Sequence, residues 1–280
     1  MSSLKNMQKE DTKLEKLIDT HAHLDFPEFS TDLDAVLDRA AQKGVEEIVT
    51  IGIDLSTSRK AVELAQSHPQ LYAAVGIHPH DAFVLDKDSL DSLRNLARQD
   101  RVVAVGEIGL DYYRDRQPRA LQKECLHRQL EVACEVQLPV VFHIREAYGD
   151  FMGIITEYVS SLKGVVLHCF SGDWPIAKRC LDLGFYLSVP GTVTFPKAGT
   201  LQDVVRRAPL ERLLVETDAP YLTPVPFRGK ANEPSYVFYT AQKVADLRRC
   251  SFAEVAFQTT CNAHRIFGIE QSKVLRAVIK

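Results

Sequence analysis

Eight times along this chain a short β-branched or apolar run gives way to an amphipathic stretch, at intervals of roughly 25 to 35 residues, about what a strand and its return helix require. Such alternation suits either an open, doubly wound sheet or a closed (β/α)8 barrel. The residues that end the runs decide between them. Runs one, three, four, five, six and eight each finish in a histidine or a carboxylate. In an open sheet, strands that far apart would not meet at one crevice. In a closed barrel every C-terminal strand end borders the same mouth. The expected fold is therefore an α/β protein, a (β/α)8 TIM barrel with its site at the C-terminal ends of the strands.

The runs are Ile18–Asp25, Glu47–Ile53, Leu71–Ile77, Val102–Val105, Leu138–Arg145, Gly164–Gly172 with its loop, Phe185–Pro190 and Leu213–Pro220. Between them, Leu33, Val36, Leu37 and Ala40 share one face of a helix that Ser30 or Thr31 can cap and Gly44 can stop. Leu121, Cys125, Leu126, Gln129, Leu130 and Ala133 form a stripe along a helix over Pro118–Gln137, which reads as core packing. The loop from Tyr221 to Pro234 leads to helices over Ser235–Leu247 and Phe252–Phe267.

No composition shift or low-complexity linker divides the 280 residues, so one domain over 17–280 is expected, preceded by a polar leader, Met1–Lys16. With 45% hydrophobic and 25% charged residues the chain can bury a large core. A net charge of −3 gives no global field to attract nucleic acid, so such binding needs a local patch. The six cysteines form no C-x-x-C pair, and the N-terminal stretch lacks the apolar core of a signal peptide. A cytoplasmic monomer with reduced thiols is the expectation, with no membrane span.

Val102–Val105 has no room for a charge, and Glu107 follows at its end with Gly109 and Asp111 beyond. A carboxylate there is costly to bury unless it is paired or bound to a cation. On this stretch alone, satisfaction by loop amides competes equally with a bridging role between metal ions. The other run ends shift the balance. His21 and His23 lie two apart, which puts both imidazoles on one strand face. His143 and Arg145 share a face in the same way, His168 ends the sixth run, and Glu216 and Asp218 share a face of the eighth. His21, His23, Glu107, His143, His168 and Asp218 form a donor set suited to two first-row divalent ions. The expected division gives one ion to His21, His23 and Asp218 and the other to His143 and His168, with Glu107 bridging. Such a pair polarises a phosphoryl oxygen and readies a water for attack, and Asp218 can take that water's proton. Glu216, deeper on the same face, is expected behind the ligands.

The motifs that carry this set, Asp19-Thr-His-Ala-His-Leu-Asp25, Gly76-Ile-His-Pro-His80, Gly106-Glu-Ile-Gly-Leu-Asp111, Phe142-His-Ile-Arg145, Leu167-His-Cys-Phe-Ser-Gly172, Glu216-Thr-Asp-Ala-Pro-Tyr-Leu222, Arg228 and Asn232-Glu-Pro234, together resemble the TatD family of metal-dependent deoxyribonucleases. The resemblance runs from about Leu17 to Gly268. It implies the same six ligands and hydrolysis of DNA phosphodiesters, often as a 3′-to-5′ exonuclease on single-stranded ends, with RNA as a further substrate for some members. It implies two divalent ions, Mg2+, Mn2+ or Zn2+.

His78 is expected to touch the site without ligating metal, as an orienting group, a phosphate donor or a loop-capping histidine. Arg145 either binds phosphate or braces Glu107 or Asp111. Arg228 and Asn232 either hold substrate or pin the last loop. Tyr112, Tyr113, Phe170, Trp174 and Tyr221 lie on mouth loops where bases could stack, although packing onto the rim accounts for most of them. Cys169 is expected to be buried and inert. Two other functions fit the same barrel: an ester or amide hydrolase of the deacylase or amidohydrolase kind, and a metal-binding scaffold without turnover. Many amidohydrolases bridge their metals with a carbamylated lysine. Here the fourth run offers Glu107 and no lysine, which favours the nuclease.

Overall fold

The structure, a computed structural model, describes residues 15–269, so the expected leader lies almost wholly outside them. Eight parallel strands pair in chain order: β1 (Leu17–Ala22), β2 (Val45–Ile51), β3 (Leu71–Val75), β4 (Val102–Asp111), β5 (Val140–Arg145), β6 (Val165–Leu167), β7 (Tyr186–Val189) and β8 (Leu213–Val215). Seven helices return the chain between them: α1 (Leu33–Gln42), α2 (Leu55–Ser67), α3 (Lys87–Ala97), α4 (Arg119–Val136), α5 (Tyr148–Tyr158), α6 (Trp174–Asp182) and α7 (Gly199–Arg207). Two more, α8 (Val237–Arg248) and α9 (Phe252–Phe267), follow β8. None of the described helices is long and apolar enough to cross a membrane. The barrel closes where β1 meets the chain just past β8. A parallel bridge joins Ala22 to Ala219, His23 N–H donates to Ala219 O at 2.8 Å and Asp218 N–H donates to His21 O at 2.9 Å.

The core has two parts. All eight strands contribute to one buried cluster that includes Ile18, Ile51, Val141 and Leu214, and Ile266 and Phe267 of α9 plug it from the N-terminal end of the barrel. The larger cluster lies between the strands and the helices. Helix starts follow the expected chemistry. Asp54 and Thr57 form a reciprocal capping box on α2, and Ser251 accepts the Glu254 N–H on α9. At α1 neither Ser30 nor Thr31 is the cap: the N-cap is Asp32, with no side-chain cap bond.

Three expectations need correction. Run four does not stop at Val105: β4 continues to Asp111, so Glu107 lies within the strand and not at its end. Run eight stops early: β8 ends at Val215, and Asp218 adopts a left-handed backbone (φ 58°), so Glu216 and Asp218 are not oriented by a strand's two-residue period. Gln129 is more than core packing. Its amide accepts the Ile77 N–H and donates to the Ile77 carbonyl, and Gln122, one heptad earlier, does the same for Asp111. The buried face of α4 thus grips the backbone of two strand ends beside the mouth.

Candidate metal centre

Glu107 is 3% exposed and sits where β4 slips against β5: the three steps from Val105 to Ile108 pair with the two from Val140 to Phe142. A similar slip in β1, between Asp19 and Ala22, precedes His23. These slips break strict alternation at the two strands that supply most of the site. Around Glu107 stand four imidazoles. His143 Nδ1 and His168 Nε2 lie 2.8 and 3.1 Å from Oε1, and His21 Nε2 and His23 Nε2 lie 3.5 and 3.9 Å from Oε2. Asp218 Oδ1 is 3.4 Å from His23 Nε2 and 3.7 Å from His21 Nε2. All six expected ligands therefore converge on one point of the barrel mouth, with one carboxylate shared between two imidazole pairs.

The donor chemistry fits cations. Both ring nitrogens of His21 are buried without a hydrogen-bond partner among the described residues. Burial, and then the charge of His168, lower its pKa, so the ring is a neutral donor with a lone pair to give. His23 donates Nδ1–H to the Ile51 carbonyl at 3.2 Å, and although burial opposes its charge, the hydrogen bond to Asp218 and the charges of Glu107 and Asp218 outweigh it and raise its pKa, so an ion at Nε2 takes the place of a proton. Burial opposes the charged form of Glu107, but the His168 charge and hydrogen bonds from His143 and His168 outweigh it and hold this carboxyl well below its usual range. Asp218 follows the same pattern: burial disfavours its charge, and the hydrogen bond from His23 with the charge of His168 prevails.

His78 joins the cluster in a different role. Its Nδ1 accepts the His80 N–H at 3.1 Å, and burial keeps the ring neutral by lowering its pKa well below the usual value. The proton is therefore on Nε2, which faces Glu107 Oε1 at 3.7 Å. His78 reaches the centre as a hydrogen-bond donor.

Several buried groups behind the ligands were less legible in the sequence. Asp111, 1% exposed, approaches His143 Nε2 at 3.2 Å and His80 Nε2 at 2.9 Å, and its other oxygen accepts the Tyr113 and Arg114 N–H groups. It fixes His143 so that Nδ1 faces Glu107. Glu216, fully buried, stands behind His168, as expected. Asp19 accepts the Thr217 N–H at 2.9 Å and the Thr217 hydroxyl, tying β1 to the turn that carries Asp218. Burial pushes its pKa up to about 8 against those hydrogen bonds. The signal for these groups was their presence within the same short motifs, with no period to say which way they point.

The outer candidates separate. Arg145 stacks on the Tyr113 ring, 3.9 Å from its centroid, and makes no ion pair among the described residues, so it braces neither Glu107 nor Asp111. Arg228 is exposed and lies over Phe195. Asn232 is 1% exposed, and its carboxamide is spent on the Thr217 and Tyr221 carbonyls and the Glu233 N–H; it pins the last loop instead of facing substrate. Burial, followed by the nearby acids, raises the Cys169 thiol well above its ordinary pKa, so it is a poor nucleophile, although the residue is only partly buried. Among the aromatics, Phe170 is core, Tyr112 bonds Asp150 and Trp174 lies under Arg207, while Tyr113 and Tyr221 remain exposed.

The sequence profile of the family described as TatD related DNase matches residues 18–268. An uncharacterized metal-dependent hydrolase of Bacillus subtilis strain 168, YabD, is 44% identical over 90% of this chain and 99% of its own. A protein of Citrobacter rodentium named 3′-5′ ssDNA/RNA exonuclease TatD is 35% identical over 90% of this chain and 98% of its own. Among solved structures, YjjV, a TatD homolog from Escherichia coli K12, superposes with a TM-score of 0.87 at 35% identity, covering 92% of this chain and 100% of that one.

Proposed function

The chain belongs to the TatD family and is a metal-dependent hydrolase, and from that premise we propose that it cleaves phosphodiester bonds of nucleic acid at a two-ion centre, working from the 3′ ends of single-stranded DNA and also on RNA. The observation that carries this reading is Glu107, whose two oxygens face two separate imidazole pairs, His143 with His168 and His21 with His23. That arrangement is what a bridging carboxylate needs.

His21, His23 and Asp218 would hold one ion, His143 and His168 the other, and Glu107 both. Mg2+, Mn2+ or Zn2+ bound there would supply Lewis-acid polarisation of the phosphoryl group and make water more acidic. The side chains do the rest. Asp218, kept ionised, accepts the proton of the attacking water at a carboxylate oxygen. His78 offers Nε2–H to a phosphate oxygen, and Arg145 offers a guanidinium with no competing ion pair among the described residues. Glu107 comes from β4, Val102–Asp111, which carries no lysine to be carbamylated, and this disfavours the amidohydrolase alternative. The six free cysteines fit a reducing compartment such as the cytoplasm.

The test is turnover by the purified chain on end-labelled single-stranded DNA, single-stranded RNA, duplex DNA and a model carboxylate ester, before and after chelation and with each metal restored. Metal-dependent release of mononucleotides from the 3′ end is the expected result. Hydrolysis of the ester with none of the nucleic acids would overturn the reading.

A further inference from the structure

Two tyrosines stand half in solvent at the mouth, across it from one another. Tyr113 follows β4 and Tyr221 comes after β8, and in a closed sheet ordered β1 to β8 those two strands are diametrically opposed. The two residues are 54% and 51% exposed, yet both backbones are tied to acids of the centre. Tyr113 N–H donates to Asp111 Oδ1 at 3.0 Å, and Tyr221 N–H donates to the Asp218 carbonyl at 2.8 Å. Each ring also rests on a neighbour. The Arg145 guanidinium lies 3.9 Å from the centroid of Tyr113, and Phe26 meets Tyr221 edge to face at 5.9 Å. The Tyr221 ring is 6.3 Å from that of His23. These are rigid aromatic surfaces held next to the chemistry, one on each side of it.

We propose that Tyr113 and Tyr221 are base-stacking platforms for the two nucleosides that flank the scissile phosphate, so that the enzyme takes two unpaired bases splayed to opposite sides of the mouth. The inference rests on the phosphodiesterase reading above. Glu107 spans the gap between the platforms: its Oε2 faces His21 and His23, on the Tyr221 side, and its Oε1 faces His143, on the Tyr113 side. A phosphate at this centre has its two nucleosides on either hand. Every base has a π face, so stacking tolerates any sequence, and a chain with net charge −3 gains an anchor that does not depend on basic surface. Base-paired ends cannot present two splayed bases without melting, which makes the platforms a selector for single strands.

The experiment uses the metal-loaded enzyme and short single-stranded oligonucleotides carrying an abasic residue on one side or the other of the scissile bond. Tyr113→Ala and Tyr221→Ala should each raise KM about tenfold or more, with metal content unchanged, while Tyr113→Phe and Tyr221→Phe stay close to wild type. Each abasic position should cost a similar factor, and that cost should vanish in one alanine variant and persist in the other, which assigns each base to its platform. Alanine variants that process complete oligonucleotides as wild type does, or abasic losses that multiply in full with both variants, overturn the inference and leave the nuclease reading standing. A wild-type enzyme that cuts no oligonucleotide overturns both.

Discussion

Glu216 stands 3.2 Å from His168, carboxylate Oε1 to ring Nδ1, and the same oxygen accepts the Cys169 N–H at 2.7 Å. The far nitrogen of that ring, Nε2, is 3.1 Å from Glu107. One fully buried acid thus faces the imidazole on the side opposite another acid. Cys169 takes a left-handed turn (φ 44°) that swings its N–H onto Glu216 as the chain leaves β6.

Glu216→Gln should keep the fold and weaken binding of the ion assigned to His168 by roughly 10- to 100-fold, since an orienting partner is lost while the ligand remains. Competition titration with a chromogenic chelator, alongside circular dichroism, measures both. Wild-type affinity in a folded variant would show that Glu216 does not govern His168.

Glu107→Ala should be the most damaging single change to metal content. His168→Ala removes one donor from one ion, whereas loss of the bridge leaves two cations with no shared counter-charge. Elemental analysis of dialysed protein should find substantial metal in the His168 variant and close to none in the Glu107 variant. Full occupancy in the latter would show that Glu107 is not the bridge.

Metal uptake should release protons. Burial opposes a charged His168, but Glu107 and Glu216 outweigh it and raise its pKa well above the usual 6.5, so near neutrality the metal-free ring holds a proton that an ion must displace. Affinity should therefore rise with pH, with net release of protons near pH 7, readable by calorimetry in buffers of different ionisation heat. The same shifts bound the stability of the metal-free fold. The raised His168 pKa contributes stability that is complete below about 6.5 and is lost as pH climbs through its folded value. The lowered Glu107 pKa contributes stability that is complete above about 4.3 and is lost as pH falls through its folded value. Urea unfolding of the chelated protein should be hardest between those limits. No proton release on metal binding would contradict the charge state assigned to His168.

Oligonucleotide binding should depend only modestly on salt. Arg114 and Arg145, both near the Tyr113 ring, and exposed Arg228 are the basic groups best placed for phosphates. Two or three phosphate contacts on a single strand imply a log–log slope of about −2. A catalytically dead variant that keeps its metal serves for a salt series. A slope steeper than about −5 would reveal an extended basic groove, and an end-directed enzyme would give way to one that tracks along its substrate.

The sequence by itself determined the barrel and singled out the candidate donors. Eight repeats of run and amphipathic stretch leave few topologies, and histidines and acids at the run ends are too costly to bury in an open sheet without a shared purpose. Only the tertiary structure decided how those donors point. Two-residue periodicity holds while a strand stays in register, and β1 and β4 slip beside His21, His23 and Glu107. It ends where the strand ends, which is why Glu216 and Asp218 are oriented by turns, by Asp19 and by the Cys169 N–H. Roles that depend on which hydrogen bond a side chain makes were also hidden from sequence. His78 is a donor because the His80 N–H occupies its other nitrogen, Gln122 and Gln129 hold strand ends from an otherwise apolar helix face, and Asn232 is consumed by its own loop. Composition and period report what a residue is and how often it recurs. Which hydrogen bond it makes is settled when segments distant in sequence, such as those of Asp19 and Thr217, 198 residues apart, come into contact.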